Sequence, residues 1–288
     1  MSSSFHTASL PLGSLFGVPV RMHMTFPIFF ALGLVAEGLS YSGWAAVGWA
    51  ALMFGPILLV TVLLHELGHS LAARRLGGHA EGILLWPLGG LAYLAHSSGP
   101  KADLLIALAG PATHIPQFLV WFAILFPLHH AATGSWTPSL TIPNPSWSFG
   151  LAVVAGACQL NIALAAFNLL LPAYPLDGGR VFADTLLLAG VAPERAAKAT
   201  AGVAVVGGCA VVGLGIWQSS YMTIAVGLWM LYSTWGLVEA IRRGAVAQHP
   251  MFCFDGDGAG GGGAAAMQAQ LPAVGTSGYC RYGGEGEV

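Results

Sequence analysis

Residues 48–75 read GWAALMFGPILLVTVLLHELGHSLAARR, and the fold follows from that run. Between Gly48 and Ala73 the only polar side chains are Thr61, His65, Glu66, His69 and Ser70, and Arg74 and Arg75 close the segment. A helix needs about 20 mainly apolar residues to cross a bilayer, so this stretch is long enough to span one. The whole chain points the same way. Of its 288 residues 56% are hydrophobic and 8% charged, against about 25% charged in an average soluble domain, and the mean hydropathy is +0.72. Too little charge remains to coat a core of this size in water, which excludes soluble enzymes and disordered proteins. A net charge of −2 offers no basic field for nucleic acid.

Working outward, six spans are expected: Met24–Ala36 with a continuation towards Ser40, Gly48–Ala73, Ala102–Leu128, Phe149–Leu171, Ala196–Trp217 and Thr223–Ile241. The cations give an independent check. Arg21, Arg74, Arg75, Lys101, Arg180, Arg195, Lys198, Arg242 and Arg243 all fall on one side of this threading, and the opposite loops carry none. The positive-inside bias then puts an even number of spans with both termini in the cytoplasm. The first 20 residues hold no Lys or Arg, which argues against a signal or transit peptide. Four widely spaced cysteines suggest neither a disulfide framework nor a thiolate zinc site.

Two segments depart from the helical pattern. Ile83–Trp86 and Leu91–Ala95 flank a Pro87–Gly90 turn and read as a short β-hairpin. Such backbone survives at membrane depth only where protein or a wet cavity satisfies its amides. From about Ala245 the chain is Gly-rich without apolar periodicity, so 245–288 is expected to be a disordered cytoplasmic tail. The expected architecture is an all-α polytopic membrane protein of six helices, with a membrane-embedded hairpin between the second and third.

His65-Glu66-Leu67-Gly68-His69 is an HExxH. At 100° per residue the two imidazoles stand about 40° apart, one turn from each other, and can reach one metal. Glu66, beside them, can accept a proton from an attacking water. Ionisable side chains inside a span are costly, and three within five positions suggest a functional site. Arg74 puts the group about 7–8 Å below the cytoplasmic boundary, at 1.5 Å per residue. Catalytic zinc takes three protein ligands, so a third donor is needed at similar depth. Asp177 qualifies, because Pro172 and Pro175 break the helix before it and free the carboxylate to turn inward. An Asp-Gly turn is the plainer reading of the same residues. His114, after Gly110-Pro111, is the rival ligand.

HELGH in a membrane helix, followed by Asn168-Leu-Leu-Leu-Pro172-Ala-Tyr-Pro175-Leu-Asp177-Gly-Gly-Arg180, resembles the site-2 protease family of intramembrane zinc metalloproteases, peptidase family M50. The likeness runs from about Gly13 to Arg243. Gly17–His23 resembles the family's strand before the first span, Trp86–Gly90 its membrane-embedded hairpin, and Ala109-Gly110-Pro111 the opening of its third core helix. The resemblance implies one zinc per chain held by His65, His69 and Asp177, with Glu66 as catalytic base. It also implies substrate contacts at Asn168 and at Gly89 and Gly90 of the hairpin. Asn168 stands four residues before Pro172 where the family spacing is three, so Asn161, one heptad earlier on nearly the same face, shares that candidacy. The expected organisation is an N-terminal cytoplasmic segment, 1–21, a six-helix metalloprotease core, 22–244, and the tail. The substrate would be a transmembrane segment of another protein, entering from the lipid and cut near the cytoplasmic face.

A non-catalytic metal binder or transporter would use the same ligands, but it expects polar residues along several spans, and Ala201–Trp217 has almost none. A pseudoprotease would have lost Glu66 or a ligand. Asp184, seven residues after Asp177, lacks the GxGD of an aspartyl dyad, and a short cytoplasmic helix would solvate it. Ser70 lacks a GxSxG setting, which leaves little support for a serine mechanism.

Overall fold

The computed structural model describes residues 9–39, 43–87, 89–95, 99–252 and 254. In chain order it forms β1 (Ser9–Leu15), β2 (Val18–His23), α1 (Thr25–Leu39), α2 (Gly43–Leu52), a π turn (Met53–Ile57), α3 (Leu58–Arg75), β3 (His79–Trp86) and β4 (Gly89–Ala95). There follow α4 (Gly99–Ala112), α5 (His114–Thr133), α6 (Phe149–Leu170), α7 (Asp177–Leu188), α8 (Pro193–Trp217), α9 (Tyr221–Arg242) and a 3₁₀ turn at Val246–Gln248.

Among the described residues five helical stretches are long and apolar enough to cross a membrane: Gly43–Arg75, Gly99–Thr133, Phe149–Leu170, Pro193–Trp217 and Tyr221–Arg242. Six were expected. The one that falls short is the first, where the apolar helix is Thr25–Val35; the anticipated continuation reaches Ser40, outside the described residues. The second stretch begins earlier than expected, at Gly43, and bends at Gly55 (φ −90°, ψ −108°) just before Pro56. Proline has no N–H to give the helix and its ring crowds the preceding turn, so the ladder breaks there.

The β structure is larger than a single hairpin. The strands form one four-stranded sheet in the order β1-β2-β3-β4. β1 runs antiparallel to β2, with a register shift between Pro11 and Gly13. β2 runs parallel to β3, pairing Val20 with Ile83 and Met22 with Leu85. Reading 17–23 as one strand missed β1, because Pro11 and the bulge at Gly13 (φ +117°) interrupt its alternation. The parallel pairing joins segments some sixty residues apart and leaves no local turn signal.

The chain packs as two units, one drawn from Met1–Gly68, Ile83–Gly90 and Ala109–Leu170, the other from His69–Gly82, Leu91–Leu108 and Leu171–Val288. In the first, Leu125 of α5 and Leu151, Val154, Ala155 and Cys158 of α6 form a buried core under Phe118, Trp121, Phe122 and Ile142. Trp49 on α2 donates its indole N–H to the Ala152 carbonyl at 3.0 Å. In the second, α8 and α9 approach closely through glycine. A Cβ on Gly227 would lie 2.8 Å from the Val212 nitrogen, and one on Gly208 2.8 Å from Leu231. Such small residues are how apolar helices gain contact where no hydrophobic drive exists between them. Val246, Met251 and Phe252 are buried in this unit, so packed chain runs past the boundary expected at 245. Burial pushes the His249 imidazole down to about 4 and keeps it neutral, and its ring meets Tyr174 edge-on at 5.3 Å.

Candidate active site

The first unit holds His65 and Glu66 on α3, His114 at the start of α5 and Asn161 on α6, all buried. Their proton directions follow from one fixed point. Asn161 Nδ2 donates to the Ala157 carbonyl at 3.0 Å, so Oδ1 is the end that faces His114 Nδ1, also at 3.0 Å. An amide oxygen only accepts, so His114 carries its proton on Nδ1 and presents Nε2 as an acceptor. That nitrogen lies 3.1 Å from His65 Nδ1, which therefore donates. With its proton on Nδ1, His65 carries its lone pair on Nε2, the atom it can offer a metal. His114, the rival metal ligand of the sequence reading, sits behind His65 and orients it.

In the second unit the same logic applies to His69. Its Nδ1 lies 2.7 Å from the Ile106 carbonyl on α4, which only accepts, so the proton is on Nδ1 and the lone pair on Nε2. Nε2 faces Asp177 Oδ1, at the first turn of α7, 3.2 Å away. A lone pair set against a carboxylate oxygen needs a cation or an extra proton to be stable. Two donors at about 2 Å from a tetrahedral ion stand about 3.3 Å apart, and the observed separation matches that edge. His65 precedes His69 by one turn of the continuous helix α3. The ligand atoms that His65, His69 and Asp177 offer all lie within 4.8 Å of one another. Two imidazole nitrogens and a carboxylate are a donor set that suits zinc.

Glu66 lies against the sheet. A Cβ on Gly90, in β4, would fall on the Glu66 side chain, 2.6 Å from Oε1, so only glycine leaves room for this carboxylate. Gly89 beside it holds φ +145°, a backbone conformation that favours glycine. The Asn168 side chain is half-buried on α6 and hydrogen-bonds to none of the described residues, whereas that of Asn161 is spent within the relay.

Sequence reasoning missed a second polar group. Arg180, used above as a boundary marker, is buried, and it donates to Asp103 of α4 through both Nη2 and Nε, the latter at 3.3 Å. Burial works against the guanidinium, but the Asp103 carboxylate outweighs it and holds Arg180 above its ordinary range. Asp184, expected in solvent, is fully buried, and neither of its oxygens meets a donor among the described residues. Burial and then the Asp103 carboxylate push it up to about 9, against the opposing pull of Arg180. Glu194, Arg195 and Lys198 of α8 stay exposed and leave these as the groups that act on it.

Native Asp184 thus keeps a proton that the unfolded chain releases near the ordinary aspartate value of about 3.9. Between those values the folded state binds more protons, so stability falls as pH rises. Thermal unfolding of the purified protein across mildly acidic to alkaline pH is expected to show that decline, and Asp184→Asn to flatten it. A slope unchanged by the substitution would refute the assignment.

Comparison with known proteins bears on this geometry. The profile of peptidase family M50 matches residues 53–212. Rip3 of Mycobacterium tuberculosis is 31% identical over 248 residues, covering 81% of this chain and 58% of Rip3. The zinc metalloprotease MJ0392 of Methanocaldococcus jannaschii is 32% identical over 174 residues, 60% of this chain and 44% of that protein. The chain thus spans less than two thirds of either relative. In fold, it matches the site-2 protease from Methanocaldococcus jannaschii with a TM-score of 0.53 over 79% of this chain and 94% of that one, at 24% identity. The chain belongs to peptidase family M50, as its resemblance to the site-2 protease family implied.

Proposed function

We propose that this protein is a zinc-dependent intramembrane endopeptidase that cuts transmembrane segments of other proteins near the cytoplasmic face. The observation that carries the reading is the His69 Nε2 lone pair opposed to the Asp177 carboxylate at 3.2 Å, on a helix that also bears His65 and Glu66. His65, His69 and Asp177 would hold one zinc per chain. Bound there, the ion supplies Lewis acidity that polarises a carbonyl and makes water a better nucleophile at neutral pH.

Glu66 takes the proton of the attacking water and returns it to the leaving amine. Glycine at position 90 lets the Glu66 side chain lie directly against β4, where a Cβ would collide with it. A substrate helix hides its peptide bonds, so it must unwind locally, and an unwound strand in lipid needs backbone partners. The β4 segment at Gly89 and Gly90 can supply them by strand addition. Asn168 is the free side-chain amide for the substrate backbone, while Asn161 acts through His114.

In the orientation we propose, the segregated cations and both termini are cytoplasmic, the hairpin sits at membrane depth, and 22–244 is the catalytic core. α1 is then a sixth pass. Its 15 residues measure about 22 Å, a deficit that local bilayer thinning can absorb.

The test is purification in lipid nanodiscs, metal analysis, and incubation with a model transmembrane substrate whose products are mapped by mass spectrometry. One zinc per chain and a cut inside the substrate's membrane segment, towards its cytoplasmic end, are expected. Zinc flux in vesicles without cleavage would overturn the reading in favour of a transporter.

A further inference from the structure

The buried charges of the second unit sit around a single turn of α4. Ile106 holds His69 by its carbonyl, and Asp103, three residues earlier and therefore on the same face, holds Arg180. Arg180 lies one turn into α7, the helix whose first residue is Asp177. Asp103 thus ties down the start of the helix that presents Asp177, while its neighbour in the next turn orients the imidazole opposite. The arrangement is costly. Asp103, Arg180 and Asp184 are all buried, and taking charges from water is unfavourable even after relaxation. Two apolar side chains would close the same space more cheaply.

Asp184 makes the cost intelligible. It lies one turn beyond Arg180 on α7, beside Asp103, and neither of its oxygens receives a hydrogen bond from a donor among the described residues. Two carboxyl groups meeting in a buried place share a proton, because both cannot ionise so close together. With one proton between Asp103 and Asp184, the pair carries a single negative charge, which Arg180 balances.

We propose that Asp103, Arg180 and protonated Asp184 form a positioning centre that fixes the start of α7 and thereby sets Asp177 at the distance from His69 that zinc requires. The inference deepens the metalloprotease reading and rests on Asp177 being a ligand. None of the three touches zinc or substrate. They act through α7, and Asp184 acts as a hydrogen-bond donor, not as an acid.

The test measures zinc affinity of the full chain by competition with a chromogenic chelator, together with the infrared carbonyl band of protonated carboxyl groups. The double variant Asp103→Leu with Arg180→Met removes one negative and one positive charge together, so it leaves no unpaired buried ion and does not alter the net charge near Asp177. Its zinc affinity is expected to fall roughly 10–100-fold, the loss typical of an outer partner of a ligand. Asp184→Leu is expected to fall about tenfold, at the low end of that range. Asp184→Asn, whose amide can donate to Asp103 in place of the acid, should keep wild-type affinity while losing the infrared band.

Wild-type affinity in both the double variant and Asp184→Leu would overturn the positioning role. A band that persists in Asp184→Asn would overturn the shared proton. Asp177→Asn serves as the control. If it also binds zinc as the wild type does, the metal reading itself fails; if it loses zinc while the double variant keeps it, only the positioning centre fails.

Discussion

The Glu66→Gln protein is expected to carry the same zinc as the wild type and to cleave a transmembrane substrate about 10²- to 10⁴-fold more slowly, the usual worth of a general base. Gln and Glu have the same shape, and Gly90 leaves room for either. The proposed ligands, His65, His69 and Asp177, are untouched, and so are the partners that orient the two imidazoles, His114 and the Ile106 carbonyl. What the amide lacks is a lone pair basic enough to take a proton from water. Zinc content by mass spectrometry and single-turnover cleavage in nanodiscs would be measured on the same preparation. Equal cleavage rates would remove Glu66 from the mechanism, whereas a parallel loss of zinc would mean that its carboxylate is a ligand and not a base.

How much of this was readable in the chain depends on the range of each relation. The facing of His65 and His69 is local: residues four apart on a helix share a face whatever surrounds them. Asp177 was half local. Pro172 and Pro175 announced a broken helix, but which group the carboxylate would face depends on α7 returning towards the end of α3. The relay behind His65 was seen only in fragments. His114 and Asn161 were each singled out, one as a rival ligand and one as a substrate contact, yet the sequence holds no sign that α5 and α6 bring them within 3.0 Å of each other. Asp103 passed unnoticed. Two residues after Lys101, at the edge of an apolar run, it looks like an ordinary helix start; its partner Arg180 is 77 positions away. Arg180 misled for a related reason, since a cation near a predicted boundary is counted as facing water and this one is buried. The sheet was underestimated in the same way, because β2 and β3 pair in parallel across three helices, α1 to α3.

Both imidazoles are prepared alike, by different means. A backbone carbonyl ends each chain of donors, Ala157 for His65 and Ile106 for His69, and in each ring it forces the proton onto Nδ1. A carbonyl cannot reverse its role as pH changes, so the tautomers are set by the fold and not by the medium. That is the condition a metal site needs from its outer partners.

From that preparation comes the second large effect. Asp177→Asn is expected to lose zinc binding by more than the roughly 10–100-fold that follows loss of an outer partner, because it removes the only anionic ligand proposed for the ion. The carboxylate stands in the first turn of α7, where the helix dipole favours a negative charge, so neutralising it costs a little helix stability as well. Thermal unfolding separates the two contributions. In the presence of a chelator the variant and the wild type should melt within a few degrees of each other. With zinc at about 100 times the wild-type Kd, the wild type alone should gain about 2.7 kcal/mol. A variant that zinc stabilises as much as it does the wild type would show that Asp177 does not hold the metal. With only the two imidazoles of His65 and His69 left, the proposed site would then lack its third protein ligand, and the hydrolytic reading would have to find that donor elsewhere in the chain.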